Sequence, residues 1–291
     1  MITPMKILRM HGIRPQKRLG QAFLQDLNVL RKIAAAADLR GDETVVEIGA
    51  GLGILTEALA DRAGRVIAVE VDPLLAGILR ERLRDRRNID IVEADVLRYD
   101  FSSARPDRPG EKIKVIGNVP YRISSPILFR LLDFRQVIST AILMLQKEVV
   151  DRITAAPNTK DYGIPSVMVS RYCRTLRLMD VPGRCFYPEP RVDSSVVKLT
   201  VREEAPLAAA EDDAFRIVVR AAFSRRRKTL SNNLRLVRWP GLDEPALISI
   251  LQNAGIDGCR RAETLSAEEF GALTRQLISL KINLDSPRRF C

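Results

Sequence analysis

Residues 45–60 pass from an apolar strand at 45–49, through a turn with glycine at 49, 51 and 53, into a stretch of helical spacing at 54–60. A strand that runs straight into a helix through glycines reads as the opening of a parallel βαβ unit. Glycine permits the tight turn and lets the backbone approach a ligand closely. Short apolar runs recur at 66–71, 89–95, 114–118 and 140–145, separated by helical patterns such as 74–83, for which Asp72-Pro73 is a start signal. Such alternation predicts a parallel sheet covered by helices on both faces.

After Leu145 the pattern changes. Two further strands are expected at 173–181 and 195–201, joined by a Pro- and Gly-rich link at 182–190. That link is too short for a helical crossover, so the two should pair antiparallel at the sheet edge. The expectation is an α/β domain over 1–201 with a mostly parallel, seven-stranded sheet and an antiparallel edge hairpin. Residues 202–213 are acidic and alanine-rich and read as a linker, and from Ala214 onward the periodicity is helical. A small all-helical second domain is therefore expected over 202–291.

The 47 Lys and Arg against 36 Asp and Glu give a net charge of +11. This favours a polyanionic partner such as nucleic acid, with an acidic membrane surface as the weaker alternative. Cys173, Cys185, Cys259 and Cys291 show no paired spacing, and the single histidine, His11, lies in a basic N-terminal segment, so neither a metal site nor a disulfide framework is indicated. No apolar run approaches the roughly 20 residues of a membrane helix, and the start is not followed by a signal-type block. The chain reads as soluble and cytoplasmic.

The glycine turn has the spacing Glu47-x-Gly49-x-Gly51-x-Gly53, not the Gly-x-Gly-x-x-Gly of dinucleotide sites, and no phosphate-binding residues make up the difference. The next strand ends in Glu70-Val71-Asp72, a carboxylate placed to accept two hydrogen bonds from a ribose diol. Asp95 can accept from an exocyclic adenine amine, and Val71 and Val96 can sandwich the ring. The set fits S-adenosylmethionine, which has no pyrophosphate to neutralise. An NAD-type cofactor is the competing reading, and Glu70 and Asp95 could each simply cap a helix.

Asn118-Val119-Pro120-Tyr121 follows the fourth strand and should lie at the same carboxyl edge. The amine of adenine is a poor nucleophile because its lone pair is delocalised into the ring. Hydrogen bonds to the Asn118 side-chain oxygen and the Val119 carbonyl would favour a tetrahedral nitrogen and aim its lone pair. Pro120 stiffens the turn, and Tyr121 offers a face on which a base can stack. An ordinary turn with a packed tyrosine is the bland alternative.

With these motifs stand four more blocks: Lys17-Arg18-Leu19-Gly20-Gln21-Ala22-Phe23-Leu24, Met144-Leu145-Gln146-Lys147-Glu148-Val149, Phe186-x-Pro188-x-Pro190-x-Val192-Asp193-Ser194-Ser195, and Phe223-Ser224-Arg225-Arg226-Arg227-Lys228-Thr229-Leu230-x-Asn232-Asn233-Leu234. Over nearly its whole length the chain resembles the ribosomal RNA adenine dimethyltransferases, and within them the small-subunit enzymes. The resemblance implies a Rossmann-like class I fold. It also implies S-adenosylmethionine-dependent dimethylation of N6 on two adjacent adenosines in the 3′-terminal hairpin of small-subunit rRNA, by a monomer acting on a pre-30S particle. Leu24, Gly49, Glu70, Asp95 and Asn118 resemble the donor-contacting positions, and Asn118 and Tyr121 the acceptor positions, with Gln21 and Glu47 as supports. Ala22 stands where the family usually has Asn or His, so only a backbone contact to the methionine end is available there. Val119 replaces the usual Leu.

Arg225, Arg226, Arg227 and Lys228, in a helical pattern, are expected to meet RNA phosphates, with Arg235 and Arg238 further on. Lys17 and Arg18, with Arg9 and Arg14, form a second basic arm. Two other readings compete: a large-subunit rRNA adenine methyltransferase, which resembles the first domain, and a non-catalytic assembly or transcription factor.

Overall fold

The computed structural model describes residues 3–280 apart from 107, 109, 204–208, 238, 240 and 241. Its strands are β1 (Phe23–Leu24), β2 (Thr44–Ile48), β3 (Arg65–Glu70), β4 (Ile89–Glu93), β5 (Ile113–Asn118), β6 (Ile138–Gln146), β7 (Cys173–Val181), β8 (Phe186–Tyr187) and β9 (Ser194–Val201). The helices are α1 (Pro4–Met10), α2 (Leu27–Ala36), α3 (Ile54–Ala60), α4 (Pro73–Arg82), α5 (Ser124–Asp133), α6 (Lys147–Ile153), α7 (Ile164–Tyr172), α8 (Ala209–Ala222), α9 (Leu230–Leu236), α10 (Glu244–Asn253) and α11 (Ala267–Ser279). None is long and apolar enough among the described residues to cross a membrane.

The chain divides into two compact units, residues 1–150 with 173–202, and residues 151–172 with 203–291. In the first, seven strands run in the order β4-β3-β2-β5-β6-β9-β7. Strands β2 to β6 pair in parallel, and β9 lies between β6 and β7, antiparallel to both. This is the expected parallel sheet with an antiparallel edge. Every residue of the interior strand β2 is buried. Its Val45 clusters with Val66, Ile116 and Ile142 of neighbouring strands, Ile33 of α2 and Leu59 of α3. Each such side chain contributes about 1.5–3 kcal/mol when fully removed from water. Asp72 caps α4 by accepting from the Leu74 amide, with Pro73 in the first turn, as the Asp-Pro signal predicts.

The N-terminal segment is more ordered than its basic composition suggests. Helix α1 buries Ile7 and Leu8 against Leu30, Leu52 and Leu75, and β1 pairs with β8 through Leu24 and Phe186.

In the second unit, α11 begins with a capping box between Ser266 and Glu269. Residues 151–172 group here and not with 1–150, which moves them out of the domain in which the sequence reading places them. The reason is local: Tyr162 packs by Phe223 and donates to the Leu265 carbonyl at 2.7 Å, and the Asn158 amide donates to the Glu263 carbonyl. The expected linker at 202–213 is helical from Ala209; 204–208, Arg238 and Cys291 lie outside the described residues. The basic run 225–228 is not helical. It forms the turn between α8 and α9, held by the buried Asn233, whose amide donates to the carbonyls of Ala222 at 2.6 Å and Arg225 at 3.1 Å.

Candidate active site

The order of the sheet reverses between β2 and β5, the place beyond whose strand ends open α/β sheets bind ligands. There the Ile48–Gly117 register sets Gly49 beside Asn118, and a Cβ on Gly49 would lie 3.6 Å from the Asn118 carbonyl oxygen. A cavity of about 310 Å³ opens at this rim. Its wall includes Gln21, Ala22, Leu24, Glu47, Gly49, Gly51, Glu70, Val71, Asp95 and Val96, together with Asn118, Val119, Pro120 and Tyr121. The donor and acceptor candidates therefore share one chamber.

Gly53 is not on that wall. It caps the start of α3 at φ +77°, and a Cβ there would come within 2.7 Å of Leu79, so glycine is required there by the packing of α3 near α4. Lys17 is also off the wall, whereas Arg18 is on it. Arg225, Arg226, Arg227 and Lys228 are exposed and belong to the second unit.

The glycine turn is tied down by Glu70. One carboxylate oxygen accepts from the Gly51 amide at 2.8 Å, and the other from the amides of Val71 and Asp72 at 2.9 Å each. Gly51 sits at φ +59°, and a Cβ there would press on the Phe23 ring at 3.3 Å, so the turn requires glycine. A carboxylate offers about four lone-pair sites. With three filled, Glu70 offers a ligand diol one hydrogen bond, where the sequence reading expected two. Burial raises its pKa, and the three amides oppose that rise.

Glu47, beneath the turn, is 2% exposed, and its Oε2 has no hydrogen-bond partner. Burial pushes its pKa up to about 8, against a lowering by Thr56 and with a further rise from the Glu70 charge. At neutral pH it is therefore an uncharged acid with an O–H to donate. Asp95, at the end of β4, is exposed and accepts from the Leu97 amide at 2.9 Å. Val96 beside it is buried, while Val71 is 49% exposed, an apolar face without a cover.

The N-terminal strap closes the chamber. Gln21 donates to Asp72 at 2.7 Å, and Gln16 donates to the same oxygen at 2.9 Å while its amide N–H donates to the Gln21 side chain. The sequence reading missed Gln16 and the buried Asp72 in this role; the only signal was the Asp-Pro helix start. Ala22 contributes its carbonyl, which accepts from Asn118 Nδ2 at 2.9 Å. That bond fixes the amide and leaves Asn118 Oδ1 as its acceptor. Tyr121 is half-buried and its hydroxyl lies 3.0 Å from Ser194 Oγ. Burial raises the phenol pKa, so it stays neutral. Phe186 and Met144 also line the wall; both stood in recognised blocks but without a pocket role.

A doubly wound sheet with a glycine turn of Gly-x-Gly-x-Gly spacing, a carboxylate ending the next strand and an oriented amide at the neighbouring strand end is the arrangement of a class I S-adenosylmethionine-dependent methyltransferase. The donor fits what is present: side-chain-free backbone at Gly49 and Gly51, an unpartnered buried carboxyl at Glu47, and an uncovered apolar face at Val71. The model of the family described as "Ribosomal RNA adenine dimethylase" matches residues 12–272, and the chain belongs to that family. The "Ribosomal RNA small subunit methyltransferase A" of Syntrophus aciditrophicus (strain SB) is 49% identical over 273 residues, covering 94% of this chain and 97% of that protein. The protein of the same name from Geobacter metallireducens is 44% identical, covering 94% and 99%. Among solved structures, a dimethyladenosine transferase from Plasmodium falciparum has a TM-score of 0.78 at 26% identity, covering 89% of this chain and 98% of that one. The 23S rRNA methyltransferase ErmE has a TM-score of 0.66 at 32% identity, covering 88% and 99%.

Proposed function

We propose that this chain dimethylates N6 of two adjacent adenosines in the 3′-terminal hairpin of small-subunit (16S) rRNA, acting as a monomer on a pre-30S particle in the cytoplasm. The observation that carries the reading is the single chamber in which the Asn118 amide faces the same space as the glycine turn and the ends of β3 and β4. The names of the two bacterial relatives described above support the small subunit over the large.

Bound S-adenosylmethionine supplies an electrophilic methyl group on a cationic sulfur. The protein's part is placement. Asn118 Oδ1, oriented by the bond from Nδ2 to Ala22, accepts from the adenine amine together with the Val119 carbonyl and aims the nitrogen lone pair at the methyl carbon. Tyr121, steadied at Ser194, stacks on a base turned out of its helix. No histidine base would be required: the amine that takes the methyl group becomes an ammonium acidic enough to give a proton to water, and the thioether left behind is neutral. Glu70 would take one ribose hydroxyl of the donor, Asp95 its adenine amine, and Val71 and Val96 its ring. Arg225, Arg226, Arg227 and Lys228, with Lys17 and Arg18, hold RNA phosphates.

The test is incubation with unmodified small subunits and labelled donor, followed by mapping of modified nucleotides. Label on two neighbouring adenosines of the 3′ hairpin is expected. Label confined to large-subunit RNA, or none with donor bound, overturns the reading.

A further inference from the structure

The N-terminal strap and the Asn118–Tyr121 loop are laced together residue by residue. Asn118 donates to the Ala22 carbonyl, Gly20 at φ +67° lies against Pro120, where a Cβ would stand 3.4 Å from the proline ring, and Arg122 donates to the Arg18 carbonyl. Arg122, in the single 3-10 turn 121–123, and Arg18, in that at 17–19, are both exposed and both on the cavity wall. Arg18 has one further bond, from Nε to the neutral Gln16 side chain at 2.9 Å. Among the described residues, neither guanidinium has a carboxylate within ion-pair distance.

Two arginine side chains without a carboxylate partner on one cavity wall leave positive charge there, and an anion bound at that wall is attracted to it. The lacing fixes where such an anion belongs. Asn118 stands at the inner end of the loop and Arg122 at the outer end, at most about 13 Å away along four residues of chain. That is comparable to the reach from the amine of a purine to the phosphate of its own nucleotide. The guanidinium fork matches a phosphodiester's two free oxygens.

Resting on the function proposed above, we infer that Arg122 and Arg18 form a phosphate clamp at the mouth of the acceptor pocket that grips the RNA backbone beside the flipped adenosine. Neither residue of the pair touches the reacting atoms; the clamp positions the nucleotide. Arg122 is the new member and the more diagnostic one, because it directly follows the stacking tyrosine and is bound to the strap.

Arg122→Gln keeps a donor for the Arg18 carbonyl and removes the charge. It is expected to raise KM for the RNA substrate about tenfold, with the effect on KM and not on kcat at saturation. The slope of log affinity against log salt should become shallower by about 0.7, the loss of one single-strand phosphate contact. Arg122→Lys should recover the slope but only part of the KM, since ammonium cannot grip bidentately. An unchanged slope in Arg122→Gln overturns the clamp. So does a donor Kd weakened tenfold with the RNA slope intact, for the cation would then serve the donor's carboxylate. A wild-type chain that binds donor yet methylates no rRNA removes the underlying reading instead, which the parent assay separates from failure of the clamp.

Discussion

On the donor side of the cavity the Glu70 carboxylate ties Gly51, Val71 and Asp72 together with three hydrogen bonds, while Gln16 and Gln21 both converge on Asp72. On the acceptor side Asn118 donates to one carbonyl, and the Tyr121 hydroxyl meets Ser194 at 3.0 Å and the Val192 carbonyl at 3.4 Å. The residues that would hold the donor thus also hold the turn in shape through several bonds each, whereas Asn118 gives a single side-chain bond to the strap and Tyr121 is steadied at its hydroxyl. Donor-side substitutions should cost stability and binding together. Acceptor-side ones should cost chemistry far more than stability.

The largest expected effect tests that separation directly. Asn118→Ala should lower transfer by about a thousandfold, the scale for removing an oriented group that acts on the reacting atoms. It forfeits one hydrogen bond to a half-exposed carbonyl, about 1 kcal/mol. Single-turnover assays and urea unfolding on the same preparation check both halves. A variant that unfolds as readily as it loses activity would erase the contrast. Glu70→Ala should do the reverse: three amides lose their acceptor, and stability should fall by about 2–4 kcal/mol even without donor. An unfolding midpoint equal to the parent's would mean that the turn does not lean on Glu70.

How far the sequence revealed these two sides follows from burial. Strands β2, β3, β5 and β6 carry near-continuous apolar runs because both of their faces are covered, and such runs are visible in one dimension. The two-residue strands β1 and β8 are too short to show any period, so the strap they anchor entered the sequence reading only through the family resemblance of the Lys17–Leu24 block. The glycine turn and the Asn118 loop were readable as candidates because each directly follows one of those runs. The bonds that finish the site join residues such as Gln16 and Asp72, 56 apart, and no local pattern encodes that meeting. Residues 151–172 lie between two strands in the chain yet pack with the last helices, because the rings of Tyr162 and Tyr172 find Phe223 and Phe215 there.

A third test uses Glu47, the acid beneath the donor turn. Its folded pKa of about 8 stands above the usual carboxylate value of 4.5, so between those limits the folded state binds more protons than the unfolded one. Stability contributed by this group is then lost as pH rises from 4.5 toward 8, by up to about 1.4 kcal/mol per pH unit. Glu47→Gln, neutral throughout, should flatten that slope in denaturant melts at pH 5, 6.5 and 8. A variant whose slope matches the parent's would show that Glu47 is ionised and compensated. No counterpart exists on the acceptor side, where Tyr121 is neutral across the same range.

The smallest effect concerns the basic turn 225–228, far from either set in the sequence. Helical spacing would spread its four charges around a cylinder. Instead the chain leaves α8 at Ala222, and Asn233 accepts from Ser224 at 3.2 Å while donating to the Ala222 and Arg225 carbonyls, so the run lies on a pinned, exposed loop. On the proposed function, such a loop would add affinity through phosphate contacts without touching chemistry. Replacing Arg225 and Arg226 with glutamine should make the salt slope of RNA binding shallower by about 1.4, the loss of two single-strand contacts. Affinity then falls most at low salt and little near 200 mM, while kcat at saturating RNA stays that of the parent. A uniform loss at every salt concentration would instead mean that the arginines shape the turn, and the charge would then be incidental to what Asn233 holds.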